Sequence, residues 1–348
     1  MAYTGVNKST EHFNTKLYTG TGSNGNAITG VGFQPDLIWI KDRVNAYSHR
    51  WYDVIRGVNS ALSSDNNAGA DQYASYGQLT SIDSDGFTVG QGSSSGAAMN
   101  DSGDGHISLN WKAGGTGSAN TAGTINSTVS ANTTSGFSIV TYTGNGSSGA
   151  TIGHGLGVAP EVVLVKKYSS SDNWTMLHPN VEATKYMRLD TGDGDVNDNV
   201  FNNTRASNTV FTVDSDGQVN GNGNSFVAYC FKKKTGFFTT GEFTGNGSTN
   251  GTFLYCGFKP AFVIIKRKTA TNDWFMFDNK TSTYNPTNAY LRANTSGSAG
   301  SYDWIDLVSN GIKIRNTSDG ANDNNQTYLF FAWGQTLVGS NNVPCTAR

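Results

Sequence analysis

The 348-residue sequence has few charged side chains. They make up 14% of the chain and leave a net charge of −2, whereas an average soluble domain has roughly 25%. Its lysines and arginines form no dense cluster, and binding to a phosphate backbone needs such a cluster. We therefore do not expect nucleic acid as a partner.

Long apolar segments and paired cysteines are also missing. The longest apolar runs are too short to span a bilayer, and residues 1–16 are polar. We expect neither membrane insertion nor a signal peptide. The three cysteines, Cys230, Cys256 and Cys345, are an odd number and include no Cys-x-x-Cys pair. We expect reduced structural thiols rather than disulfides or a zinc site.

Groups that could perform catalysis are scarce. Glycoside hydrolysis needs two carboxyl groups that flank a sugar, and the chain has only four glutamates, Glu11, Glu161, Glu182 and Glu242. None of the five histidines recurs at an equivalent position, and we interpret His154, which glycines flank, as a turn residue. The sequence predicts that the protein is not an enzyme, and a polysaccharide-degrading enzyme ranks third among the functions considered.

The chain is rich in glycine, asparagine, serine and threonine. Its apolar residues are mostly β-branched or aromatic, which favours strands over helices. Dipeptides such as Asn145-Gly146 and Asn310-Gly311 are typical of tight turns because they tolerate positive φ. Together these features predict an all-β fold, with a short helical turn left open only within residues 50–62.

One motif occurs three times. It consists of a proline, one variable residue, four large apolar residues and a lysine, at residues 35–41, 160–166 and 260–266. A strand that is apolar on both faces belongs in the middle of a sheet, where proline is tolerated only at the first position. The motif therefore predicts three central strands, each ending in a lysine that carries its charge to the sheet edge.

Four further landmarks recur in the same order around each motif. One is a tryptophan 14 to 16 residues after the proline, which we interpret as a core anchor (Trp51, Trp174, Trp274). The landmarks are offset by 120 to 125 residues from first to second copy and by 100 to 102 from second to third. This regularity predicts three tandem β-sandwich repeats, jelly-roll or lectin-like, of about 100 residues each.

The larger first offset is explained by residues 114–135. They are small and polar, and we interpret them as a flexible or extended linker. The predicted division is an N-terminal arm (1–10), repeat 1 (11–113), the linker (114–135), repeat 2 (136–233), repeat 3 (237–336) and a C-terminal tail (337–348).

A few aromatic residues have no counterpart in the other repeats. They are Tyr73 and Tyr76 in repeat 1, and Tyr302 and Trp304 in a loop-like insertion of repeat 3. Exposed rings beside aspartate or asparagine can stack on sugars or anchor a protein partner. We treat these four as candidate contact residues, with a small local core beneath a long loop as the equal alternative.

An acidic segment at residues 190–198 is the candidate metal site. Asp190, Asp193, Asp195 and Asp198 supply the oxygen atoms that calcium prefers, although the closing glutamate of an EF-hand is missing. Aspartate is also an ordinary turn residue. Calcium is thus the one cofactor considered, and turn formation is the alternative.

Five stretches carry a family resemblance, namely residues 32–41, 52–57, 83–89, 142–146 and 153–160. They resemble the tandem domains of uncharacterised virion proteins of tailed bacteriophages from marine and aquatic sources, which are tail-fibre-like or structural. The similarity covers all three repeats, but repeat 3 lacks the His-Gly stretch and the Arg-Gly element. The family offers no catalytic residues to transfer.

The resemblance implies a structural protein of the virion, assembled in the host cytoplasm. It would be a fibre or appendage component, or would decorate the capsid or tail, acting by multivalent surface contact. The expected partners are other virion proteins and copies of the same chain, as a homo-oligomer that could be a trimer. The alternative is a carbohydrate-binding, receptor-binding adhesin array that recognises a host cell-surface glycan.

Overall fold

A computed structural model describes residues 5–6, 8–71, 74–93 and 97–335 of the chain. The fold is all-β, as predicted. Its only helices within these ranges are two single turns, α1 (Ala97–Asn100) and α2 (Gly217–Asn220), and two 3-10 turns, Ser9–Glu11 and Ala74–Tyr76. None of the described helices is long and apolar enough to cross a membrane.

We call residues 8–113, 114–235 and 236–335 the first, second and third segments. The strands of the first segment are β1 (Phe13–Thr19), β2 (Asn26–Thr29), β3 (Leu37–Asp42), β4 (Arg50–Asp53), β5 (Gln78–Asp83), β6 (Gly86–Gly90) and β7 (Gly105–Trp111). Those of the second are β8 (Ser118–Asn120), β9 (Ser127–Asn132), β10 (Phe137–Thr143), β11 (Ala150–Gly153), β12 (Val162–Lys167), β13 (Thr175–Leu177), β14 (Lys185–Arg188), β15 (Val196–Asn197), β16 (Val210–Val213) and β17 (Ser225–Phe231). Those of the third are β18 (Phe238–Thr244), β19 (Phe253–Tyr255), β20 (Pro260–Arg267), β21 (Trp274–Asp278), β22 (Thr287–Arg292), β23 (Gly300–Val308), β24 (Gly311–Ile314) and β25 (Thr327–Gly334).

Each segment contains an inner antiparallel sheet with the same strand order. The order is β1-β7-β3-β4 in the first segment, β10-β17-β12-β13 in the second and β18-β25-β20-β21 in the third. The proline-led strands are β3, β12 and β20, and each lies between two neighbours with its apolar residues buried. Their predicted central position is confirmed.

A second layer covers one face of each inner sheet. It is formed by the sheet β2-β6-β5 in the first segment, by β11-β16 in the second and by β22-β23-β24-β19, which continues from the inner sheet, in the third. A separate apolar core lies between the two layers of each segment. The arrangement is that of a β-sandwich, in which two sheets bury their facing residues.

The other face of all three inner sheets is buried in one shared core. This central core contains apolar residues of every segment, among them the predicted anchors Trp51, Trp174 and Trp274. All three are buried, which confirms the prediction. Rings of different segments touch, as in the pairs Phe13–Trp333 at 6.0 Å and Trp51–Trp174 at 5.0 Å between centroids. The division into three tandem domains stays a prediction, because the segments share this core.

The linker predicted at residues 114–135 is wrong, because this stretch forms two strands. β9 pairs with β10 along six residues, and β8 adds to the outside of β9. Ile125 and Val129 enter the core of the second segment. Two apolar side chains among many small polar ones were too weak a pattern to indicate an edge of a sheet, where half of the side chains face solvent.

The lysines that end the proline-led strands are also not at an exposed edge. Lys41, Lys166 and Lys266 are at most 1% exposed. The Lys166 ammonium donates to the carbonyls of Asp172 and of Asn67, which belongs to the first segment. Lys266 donates to Asn272 (2.7 Å) and to Gly192 of the second segment (2.8 Å). The charge is therefore retained by carbonyl groups rather than by water.

The polar contacts between segments run in a closed cycle. The Trp174 indole of the second segment donates to Ser63 of the first (2.7 Å). The Trp274 indole of the third donates to Arg188 of the second (2.9 Å). The cycle closes between the third and first segments, where the Ala299 amide donates to the Arg43 carbonyl at 2.9 Å. Each segment thus contacts both others.

We predict that Trp274→Ala lowers the stability of the whole chain in one step. Removing this buried ring leaves a cavity in the shared core, which costs about 3–5 kcal/mol, and unsatisfied carbonyls add to the cost. Urea unfolding followed by circular dichroism should give a single transition at lower urea. Tyr284→Ala, at an 81% exposed ring, should leave it in place. Two transitions, one at the wild-type midpoint, would contradict a shared core.

The buried lysines predict an unusual alkaline behaviour. Burial lowers the pKa of Lys166 from 10.5 to about 8, against the opposing effect of Asp190 and Asp172. Between these pH values the unfolded chain binds the proton and the folded one does not, so this group makes stability rise with pH, by about 1.4 kcal/mol per unit. From pH 8 to 10.5 the free energy of unfolding of wild type should therefore increase relative to that of Lys166→Met. Lys280→Met, at an exposed lysine, controls for the loss of one charge. It retains Lys166, so the difference in free energy of unfolding between wild type and this variant should not change over the same pH range.

Candidate functional site

The candidate contact residues of the third segment lie in a strand rather than in a loop. Tyr302 and Trp304 belong to β23, so the predicted loop-like insertion is wrong. Trp304 is 4% exposed and packs in the core of this segment, with its ring centroid 4.4 Å from that of Phe275. It therefore supports the sheet from within. The absence of a counterpart in the other repeats indicated a loop, although here it reflects a longer outer layer.

Tyr302 and Tyr76 are exposed, but they lie in different segments. Tyr302 is 54% exposed and rests edge-on against Trp304. Tyr76 is 48% exposed at the end of a 3-10 turn in the first segment. Tyr73 lies outside the described residues. The four aromatic candidates are thus not brought together into one site.

A polar cleft opens beside β23. Its volume is about 530 Å³, and it is lined by Thr249, Asn285, Pro286, Asp303, Asp306 and Arg315. The Asn285 side chain is fixed because it both donates to and accepts from the Leu307 backbone, at 3.1 and 3.0 Å. Arg315, the residue after β24, pairs with Asp306 of β23. Its walls are therefore ordered, and it gives this surface a defined shape.

The four aspartates proposed for calcium have four different protein partners. Asp190 accepts from the Trp174 amide (3.0 Å) and Asp193 from the Thr191 hydroxyl (3.0 Å). Asp195 pairs with Lys185 (3.4 Å), and Asp198 caps the amide of the residue that follows it. Within the described ranges no three histidine, cysteine, aspartate or glutamate residues are placed to hold a metal ion. The loop geometry supports the turn alternative.

The acidic loop instead joins the second segment to the third. The Gly192 carbonyl accepts from the Lys266 ammonium and from the Asn272 amide (2.8 Å each), and the Asp195 amide donates to the Lys268 carbonyl (2.7 Å). Burial raises the pKa of Asp190 to about 6, although the Trp174 amide opposes this shift. The carboxylate oxygens that suggested calcium are engaged within the second segment, and the backbone of the loop makes the contacts to the third.

Three histidines are buried as neutral donors and acceptors. The Nδ1 atom of His49 accepts a hydrogen bond from the Trp39 indole. The Nδ1 atoms of His154 and His178 each accept one from the backbone amide two residues later in the chain. The Nε2 atom therefore carries the proton. His178 directs it to the Thr240 hydroxyl at 2.6 Å, while that hydroxyl donates to the Phe330 carbonyl. His49 directs it to Arg292 and Thr295. These rings connect segments, and the interpretation of His154 as a turn residue agrees with its internal bonds.

A buried ion pair that the sequence did not reveal joins the first segment to the second. The Arg56 guanidinium donates to Asp53 (2.6 Å) and to the Tyr229 hydroxyl (3.2 Å), and Tyr229 donates to Asp53 (2.8 Å). Burial alone would lower the pKa of Arg56, but Asp53 and Tyr229 hold it above its usual value. Asp53 and Arg56 lie in one of the stretches that carry the family resemblance, yet only the fold brings Tyr229 to them.

The buried thiols and the central cavity offer no reactive site. Cys230 and Cys256 are free, as predicted, and burial raises the pKa of each to about 12, which disfavours the reactive thiolate. Cys345 lies outside the described residues. An apolar cavity of about 40 Å³ lies in the central core, between side chains of all three segments. It is too small for a ligand such as a sugar.

Acid should loosen the segments. Burial lowers the pKa of His178 to about 3, assisted by the nearby charges of Lys233, Arg205 and Lys268, and burial lowers that of His49 to about 4. Below pH 6.5 only the unfolded chain takes up these protons. The free energy of unfolding therefore falls as the pH is lowered, by about 1.4 kcal/mol per pH unit for each ring.

The free energy of unfolding of His178→Gln should therefore fall less steeply than that of wild type between pH 6.5 and 4. Thr240→Val removes the same hydrogen bond without a titrating group, so it should lower stability at every pH and keep the wild-type slope. Parallel curves for wild type and His178→Gln would contradict the assignment of a neutral buried ring.

Comparison with known proteins yields a family for the chain. The model of DUF7483, described as a domain of unknown function, matches residues 8–336. Searches of curated proteins and of solved structures found no match. Since the match spans all three segments, the chain belongs to the DUF7483 family.

Proposed function

We propose that the protein is a structural component of a bacteriophage particle, in a fibre or appendage or on the surface of the capsid or tail. It acts by surface contact with other virion proteins and with its own copies. The sequence resemblance given above supports this role. Catalysis has no part in the proposal.

The central core is the observation that carries the proposal. Apolar side chains from all three segments are buried together there, and each segment is also bonded to both others through backbone and indole groups. A particle component must hold its contact surfaces at fixed positions. A shared core does this because it prevents the segments from moving as independent domains. Several weak contacts on one rigid body add to a strong attachment.

The outward surface of the third segment is the candidate contact region. It presents exposed rings at Phe253, Tyr255, Tyr284 and Tyr302, together with the polar cleft beside β23. Exposed aromatic side chains are enriched where proteins bind one another. Host-glycan binding by an adhesin, the alternative function, would use the same types of side chain.

Imaging of intact particles tests the structural role. An antibody raised against the purified chain should label particles of the phage that encodes it, at a fixed position on the capsid, tail or fibre. Antibody absorbed with the purified chain is the control and should leave particles unlabelled. Purified particles without the protein, while it accumulates in infected cells, would overturn the proposal.

A further inference from the structure

A second polar cleft lies on the second segment, beside the strands that take the place of the predicted linker. Its volume is about 330 Å³, at the lower end of the range for small-ligand sites. Its lining includes the side chains of Asn126, Thr128, Thr141, Thr143 and Tyr168. We call this cleft the hydroxyl cleft. No charged residue is among those that line it.

The register of the strands places two threonines side by side on its floor. Thr141 of β10 pairs with Thr128 of β9, which pairs in turn with Ala119 of β8. Directly paired residues point to the same face of a sheet. Ala119, the third residue of this row, has a small side chain, so the two threonine hydroxyls remain accessible from the β8 side.

The polar groups of the hydroxyl cleft are available to a ligand. Thr128 and Thr141 are half-buried, and Thr143 and Asn126 are exposed. The hydrogen bonds of the described residues engage none of these four side chains, nor the Tyr168 hydroxyl, whereas the neighbouring Ser127 hydroxyl donates to the Gly153 carbonyl at 3.0 Å. Hydroxyl and amide groups that converge without partners are the usual means of orienting a small polar ligand.

An aromatic ring completes the cleft. The Arg56 guanidinium lies over the Tyr168 ring, 5.9 Å from its centroid, and Arg56 is itself fixed by Asp53, Tyr229 and the Ser60 carbonyl. The ring is therefore held by a cation–π contact on a rigid support. A fixed ring costs little entropy when a ligand binds.

We propose that the hydroxyl cleft binds a neutral sugar residue of a glycan. Sugar hydroxyls exchange hydrogen bonds with Thr128, Thr141 and Asn126, and the apolar face of the sugar packs on Tyr168. Because charged residues are missing from the lining, a carboxylate or ammonium group on the sugar would be desolvated without a partner, which disfavours charged sugars. The inference does not depend on a position in a particle.

Isothermal titration of the full-length chain tests it. The probes are glucose, galactose, mannose and N-acetylglucosamine, each also as a β-linked or α-linked disaccharide, with glucuronic acid and glucosamine as charged counterparts. At least one neutral probe should bind with a dissociation constant in the range of about 1–10 mM or tighter. Its charged counterpart should bind more weakly.

The variants identify the site. Thr128→Val with Thr141→Val removes both hydroxyls and keeps a β-branched strand residue at each position, so the fold is retained and the affinity should fall at least tenfold. Thr239→Val, at a half-buried threonine of β18 outside both clefts, is the matched control and should bind as wild type does. Tyr168→Phe should retain most of the affinity, and Tyr168→Leu should lose it.

Three results would overturn the assignment. They are no binding by any neutral probe at about 10 mM, unchanged binding by the double valine variant, or binding confined to the charged sugars. Absence of the protein from particles would leave the hydroxyl cleft untouched, so failure of the structural role and failure of this site are distinguishable.

Discussion

Each inner sheet of this protein has two apolar faces, and both must be buried. One face is covered within the segment by the outer layer. The other can be buried only against the inner sheets of the remaining two segments, which produces the central aromatic core. Burial of apolar area is the largest favourable term in folding, so the mutual covering of three sheets determines how the segments meet. The outer layers and both clefts take their positions from this contact.

The polar groups at the junctions follow the same logic. Polar groups buried where one segment meets another lose their contact with water, and several of them find a partner across the boundary. Lys166 and Lys266 satisfy carbonyl groups of the preceding segment, and His49 satisfies two of the third. These bonds carry a cost, because burial disfavours the charged lysine and the protonated histidine alike. Both effects make the protein less stable as the pH is lowered, because the unfolded chain takes up protons that the folded chain excludes.

Much of the inner architecture could be predicted from the sequence. The proline-led strands and the tryptophan anchors can be recognised from composition. A strand without polar residues has no side chain suited to solvent, so both of its faces must be buried. The errors at Lys41, Lys166 and Lys266 have a common cause, because a lysine after an apolar run looks the same whether its ammonium meets solvent or buried carbonyl groups. Trp304 was misplaced because an aromatic residue among polar ones fits both a loop and a one-sided strand.

The candidate site was less accessible to sequence reasoning. A cleft depends on which side chains remain without partners after folding, and pairing between Thr128 and Thr141 depends on a register that the composition of residues 114–135 does not encode. Likewise, the aspartates of residues 190–198 were visible as an oxygen-rich stretch, but their partners Trp174, Thr191 and Lys185 were not. Strong local patterns identify cores, whereas sites arise from combinations across the chain.

The closed cycle of segments has a consequence during synthesis. His49 is 243 residues away from its partner Arg292, and a ribosome adds roughly 5–20 residues per second. For about ten to fifty seconds, then, the first segment has emerged while Phe262, which will cover Trp39, has not yet been made. During that interval the nascent chain exposes an aromatic face on a partly completed sheet, the type of surface on which chains stick to one another. Slow production at low temperature, or a chaperone that covers such a face, should therefore raise the yield of folded protein.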